Sequence, residues 1–147
     1  MPSQIKVDEI KNVAGQYEIK TNTFKGQTTA GSIAVQGEGS NTTNLQQGLA
    51  KSWVNHNQAT VSDSFNITSV TDNSAGDYGD NFTNNMANAN YCAGGIGVHD
   101  GGSYTRIQTY DHDDPFTTVQ ATVNMQDTNG TVNDAEPCCT LFIGDLA

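Results

Sequence analysis

GLAKSWVNHNQATVSDSFNITSVTDNSAGDYGDNFTNNMANANY, from Gly48 to Tyr91, is the stretch on which the fold turns. Apolar and small polar residues alternate in Ser52-Trp53-Val54-Asn55, in Phe65-Asn66-Ile67 and from Tyr78 to Phe82. Between them stand clusters of Asp, Asn, Ser and Gly, above all Asp72-Asn73-Ser74-Ala75-Gly76-Asp77. An apolar period of two broken by turn formers specifies strands and hairpins, because side chains on a strand point alternately to opposite faces.

The phrases within this stretch also carry a likeness. Ala50-Lys51-Ser52-Trp53-Val54-Asn55, Ser64-Phe65-Asn66-Ile67-Thr68-Ser69, Thr71-Asp72-Asn73, Gly76-Asp77-Tyr78, Asn81-Phe82-Thr83 and Asn90-Tyr91 follow one another at a characteristic spacing. Together they resemble a β-domain of tail-fibre and other virion structural proteins of marine, cyanophage-like tailed bacteriophages. The likeness covers about a third of the chain. His56 stands where that pattern has an aromatic, and Gly79-Asp80 replace two strand residues before Asn81. The resemblance implies a structural module and brings no catalytic residue with it.

Beyond Tyr91 the strand grammar continues. Cys92 to Val98 reads as a small-residue strand, His99-Asp100-Gly101-Gly102-Ser103 as a hairpin turn, and Tyr104 to Tyr110 as a strand. From Thr117 to Met125 the alternation puts Val119, Ala121, Val123 and Met125 inward, with Thr118, Gln120, Thr122 and Asn124 outward. A polar loop over 126–137 leads to a closing strand from Cys138 to Ile143. Upstream, Ile5 to Ile10 and Tyr17 to Lys20 read as a short hairpin and Ser32 to Val35 as a strand. Thr43 to Gln47 is the best helical turn, with Asn44 as cap. The expectation is an all-β protein: a jelly-roll-like β-sandwich over residues 48–147, with an N-terminal β-hairpin or extended docking arm and linker over 1–47.

Charge is unevenly placed. The net charge is −10, yet all five Lys fall in residues 1–51 with four acids, whereas residues 52–147 hold one Arg and twelve acids. Such a surface excludes nucleic acid as a partner, since phosphate binding needs clustered Lys and Arg. No apolar run is long enough to insert in a membrane, and residues 1–11 lack the apolar stretch of a secretory signal, which predicts synthesis in a host cytoplasm. Cys92, Cys138 and Cys139 make no even disulfide framework and no CxxC pair. They read as buried thiols, with a bridge from Cys92 to the 138–139 pair or between chains as the alternative.

Candidate chemistry is sparse. Asp111, Asp113 and Asp114 form the one acidic cluster that suits Ca²⁺, but without an EF-hand pattern they read as a solvated turn. His99 lies at the other end of the 104–110 strand, roughly 20 Å away, so it does not join them. Tyr104, Arg106, Gln108 and Tyr110 share one face of their strand, read as outward: an interface with further copies, or a platform for sugars. Trp53, Phe65 and Tyr91 read as core or interface anchors. A Cys–His pair such as Cys92 with His56 can be imagined, and nothing in the spacing supports it. Esterase, P-loop, zinc-protease and dinucleotide motifs are absent, so no catalytic residue and no cofactor is expected.

The resemblance implies a non-enzymatic virion protein: a tail-fibre-type homotrimer that docks on other virion proteins through its arm and touches a host-surface glycan. A knob decorating the capsid and a free carbohydrate-binding module are the alternatives.

Overall fold

Ser52, Val54 and His56 are buried and alternate with half-buried Trp53 and Asn55. The same inward rhythm runs through Tyr78, Asp80 and Phe82, through Ala121, Val123 and Met125, and through Cys138, Thr140 and Phe142. The computed structural model describes residue 23 and residues 33–36, 42–45, 48–99, 105–110 and 113–147. In it these runs become strands of one sheet.

Ten strands form, and no helix does among the described residues. β1 (Ala34–Gln36) and β2 (Thr42–Asn44) make a separate antiparallel pair. The other eight are β3 (Ser52–Asn57), β4 (Thr60–Phe65), β5 (Ile67–Ser74), β6 (Asp77–Phe82), β7 (Cys92–His99), β8 (Thr105–Tyr110), β9 (Gln120–Gln126) and β10 (Ala135–Ile143). They pair antiparallel throughout in the order β4-β3-β10-β7-β8-β9-β6-β5. The two edge strands, β4 and β5, are consecutive in the chain and separated by Asn66 alone. One bent strand thus forms both edges, and the sheet nearly closes into a barrel whose halves pack like a sandwich.

The bend has a local cause. Asn66 has φ 58°, a left-handed conformation that Asn tolerates better than most residues. Its Nδ2 donates to the carbonyls of Lys51 and Asn84, both at 3.1 Å. Its Oδ1 accepts from the Asn84 backbone N–H at 2.7 Å and from Asn84 Nδ2 at 3.0 Å. Ser52 Oγ donates to the Phe65 carbonyl, and the Thr68 and Thr83 hydroxyls meet at 3.0 Å. The Ser-Phe-Asn-Ile-Thr and Asn-Phe-Thr-Asn phrases are therefore two halves of one corner.

Inside, two apolar clusters fill the space. One gathers Val54, Val70, Tyr78, Val123 and Met125; the other gathers Phe82, Met86, Tyr91, Ala121 and Phe142. Tyr91 stacks on Phe116 at 4.9 Å and its hydroxyl donates to the Thr117 carbonyl, so the Asn-Tyr phrase anchors the core.

Several expectations are corrected. Thr42–Asn44 is a strand: it pairs with β1, and Leu45 N–H donates to the Ile33 carbonyl, while residues 46–47 of the expected helical turn lie outside the described residues. The β-branched Thr residues suit that extended pairing better than a helix. Val119 is half-exposed and Thr122 is buried, the reverse of simple alternation. The segment ahead of β9 folds across its outer side, where Thr122 Oγ1 donates to Asp114 Oδ2 at 3.1 Å. The expected N-terminal hairpin over 5–20 and the turn over 100–103 lie outside the described residues.

Candidate functional site

Two features stand out: an apolar outer face and a polar pair buried in the interior. On the outer face, register places Phe65, Trp53, Leu141 and Gly94 directly across β4, β3, β10 and β7. The next row runs Asp63, Asn55, Cys139, Ile96 and Ile107. Phe65 is 51% exposed, Ile96 63%, Ile107 52% and Leu141 42%. Trp53, Gly94, Ile96 and Leu141 line a shallow, open groove of about 510 Å³. These exposed apolar side chains lie on one face of the sheet, and clustered exposed apolar residues are what interaction surfaces are built from.

Trp53 and Phe65 thus stand on the outer face, not in the core, and only Tyr91 of the three anchors is buried. Of the row read as outward, Arg106 and Gln108 turn inward. Arg106 is 5% exposed, and Gln108 Nε2 donates to the Thr140 hydroxyl in the interior at 3.3 Å. Register explains it: Gln108 lies opposite buried Met125 and Arg106 opposite buried Gly97, and paired residues share a face. Ile107 and Thr105 face out instead. Tyr104 lies outside the described residues, as do Asp111 and His112. Asp113 and Asp114 are exposed, and Asp114 is engaged by Thr122. Among the described residues no three ligating side chains gather as a metal site.

The cysteines are free. Cys92 pairs with Ile143 and Cys139 with Ile96, four positions apart along each strand. That separation is roughly 13 Å by strand rise, beyond the reach of a disulfide. Cys92 is exposed and Cys139 half-buried, so the buried-thiol reading holds only for Cys138.

In the interior His56 and Asp80 are both wholly buried, with His56 Nε2 and Asp80 Oδ1 4.0 Å apart. His56 Nδ1 lies 2.6 Å from the Gln58 carbonyl and must carry a proton to donate to it. Nε2 is then a bare acceptor facing a carboxyl that has no hydrogen bond of ordinary geometry. Burial pushes the Asp80 carboxyl up to about 7. Burial also lowers the His56 imidazole, against the Gln58 carbonyl and the Asp72 charge, which raise it. Tyr78 packs edge-on to His56 at 4.9 Å, and burial lifts its phenol to about 12. Cys138, opposite His56 in register, is pushed up by burial and by the Asp80 charge. A thiol so held stays protonated and is not a nucleophile. Cys92, the thiol paired in thought with His56, is on the outer surface beside Ile143. Sequence reading missed the His56–Asp80 pair because its members come from strands that no local pattern brings together.

No family model, no curated protein and no solved structure matches the chain.

Proposed function

We propose that the protein is a virion structural protein, a tail-fibre-type component displayed on the particle, working by assembly and contact and not by catalysis. The observation that carries this reading is the apolar row Phe65, Trp53, Leu141 with Ile96 and Ile107, exposed or half-buried on the outer face of the described sheet in an otherwise acidic domain. A surface of that kind serves assembly. The likeness to virion β-domains supports it from a second side. Asn66, Thr68, Phe82 and Thr83, which carry that likeness, perform structural tasks at the corner and in the core. Homotrimeric assembly, docking through residues 1–47 and contact with a host-surface glycan belong to the same proposal.

The test is antibody labelling of intact virions, with the mass of the purified chain measured by light scattering. Label at the tail on a trimeric species is the expected result. Label scattered over the head would move the protein to the capsid surface, and a chain absent from particles would overturn the reading. The isolated sugar-binding module stays the alternative, and of its row Arg106 and Gln108 turn inward.

A further inference from the structure

We infer that Asn129, at the tip of the loop joining β9 to β10, is a site of self-modification, where the side-chain amide closes on the Gly130 nitrogen and is converted to a carboxylate. The inference does not rest on the virion reading.

Sequence narrows the choice first. Asn129 is the only Asn in the chain that precedes a glycine. With no Cβ beside it, the backbone nitrogen of Gly130 can be approached where any other residue would crowd the path. The structure then removes the remaining obstacles. Residues 128–131 are exposed, and a Cβ built on Gly130 meets no atom within 4 Å. The Asn129 backbone N–H is bonded to Asp127 Oδ1, but its side-chain amide is held by no hydrogen bond. Asn73 and Asn88, which precede the next-smallest residues Ser74 and Ala89, are both tied. Asn73 Nδ2 donates to Asp77 Oδ1 at 3.2 Å, and Asn88 Oδ1 accepts from the Asn90 N–H at 2.7 Å. One bond holds the attacking atom itself: Gly130 N–H donates to the Asp127 carbonyl at 3.1 Å. It closes an exposed turn, and bonds at exposed loop tips open at little cost.

The chemistry needs only water and solvent base. As the Gly130 nitrogen gives up its proton, it forms a bond to Asn129 Cγ. The bond from Cγ to Nδ2 breaks, and ammonia leaves. Water then opens the cyclic imide at one carbonyl or the other, leaving aspartate or isoaspartate at position 129.

The loop is built so that this change loosens it. Asp127 Oδ1 accepts from the N–H groups of Asn129 at 2.8 Å and Thr131 at 2.9 Å, one on each side of the altered link. Asp127 N–H in turn donates to the Thr131 carbonyl at 3.0 Å. Isoaspartate carries the main chain through its side-chain carbon and lengthens that span, so the two N–H groups no longer converge on one oxygen. Either product also sets a new negative charge beside Asp127.

The full chain is held for several weeks in mildly alkaline buffer, folded and, in parallel, unfolded in guanidinium chloride. Peptide mapping by mass spectrometry reads the conversion at each Asn. In the folded chain Asn129 should convert at least about tenfold faster than Asn73 or Asn88, whose amides must first be released. Its rate should fall within about tenfold of that in the unfolded chain, because the turn opens easily. Asn129→Gln, one methylene longer, should stay unconverted and keep slow amide exchange at Asp127 and Thr131, which the aged wild type loses. A folded chain unconverted at Asn129 while the unfolded chain converts there, or another Asn converting first, overturns the site. Aged protein converted at Asn129 whose Asp127 and Thr131 amides exchange as slowly as in fresh protein overturns the loosening of the loop.

Discussion

Asn66 holds three segments with one amide, and its backbone occupies a conformation that most side chains avoid. Asn66→Ala removes the bonds to Lys51 and Asn84 and adds left-handed strain, so it should cost about 2–4 kcal/mol. Asn66→Gly keeps the conformation and loses only the bonds, so urea titration should rank it between Ala and the wild type. Asp80 yields a prediction of a different kind. Its folded value of about 7 exceeds the ordinary carboxylate value, so the folded state holds a proton that the unfolded chain has released. Its contribution to stability is complete below about pH 4 and is lost as pH rises through 7. His56 acts in the opposite sense. Its lowered value favours folding above pH 6.5, and that contribution is lost as pH falls below it. Below pH 6.5 the two effects oppose each other, and from there to about pH 7 the loss from Asp80 stands alone. Asp80→Asn deletes the alkaline loss. Melts from pH 5 to pH 8 should show the variant gaining on the wild type by on the order of a few kcal/mol. A constant difference across that range would show that Asp80 is not the group responsible.

At the scale of elements, the β5–β6 hairpin and the loop before β10 are locked together. Gly76 at φ 72° sits at the hairpin turn, and a Cβ there would fall on the Asn133 backbone. Asp134 Oδ1 accepts from Gly76 N–H at 2.8 Å and from the Tyr78 hydroxyl at 3.3 Å, and Ala135 N–H donates to Tyr78 Oη. Gly76→Ala should therefore cost about 2 kcal/mol or more, through strain and displacement of the loop. Hydrogen exchange should show the loss first in β5, β6 and residues 131–135. Much of this level was legible in the sequence. The turn at Gly76, the inward Ala121, Val123 and Met125, and the closing strand follow from alternation and turn chemistry. The facing of β8 was not. Its two faces are both mixed, with Arg106 and Gln108 on one and Ile107 on the other, so polarity alone misassigns them. Only pairing with Met125 and Gly97 decides the orientation, and that register is a long-range fact. The apolar face was half legible for the same reason: Trp53 and Phe65 announce an anchor, but Gly94, Ile96 and Leu141 join them only through β10.

For the whole molecule, the balance lies between a neutral patch and an acidic remainder. Association of like-charged copies is opposed by their net charge of −10, and added salt screens that opposition. Raising ionic strength from 0.01 M to 0.15 M shortens the screening length from about 30 Å to about 8 Å, so light scattering should report tighter self-association with salt. An interface held by ion pairs would weaken instead. Closure of the sheet has a further consequence. Ser52 and Phe142 are register partners on β3 and β10, and Lys51 N–H donates to the Phe142 carbonyl. The chain thus enters the sheet and leaves it at the same end, on neighbouring antiparallel strands. Tension applied between those two points would load the β3–β10 ladder one bond at a time, like a zipper. Tension borne by the outer face and the entering strand alone would spare that ladder, so where the protein is gripped decides how much pull it survives.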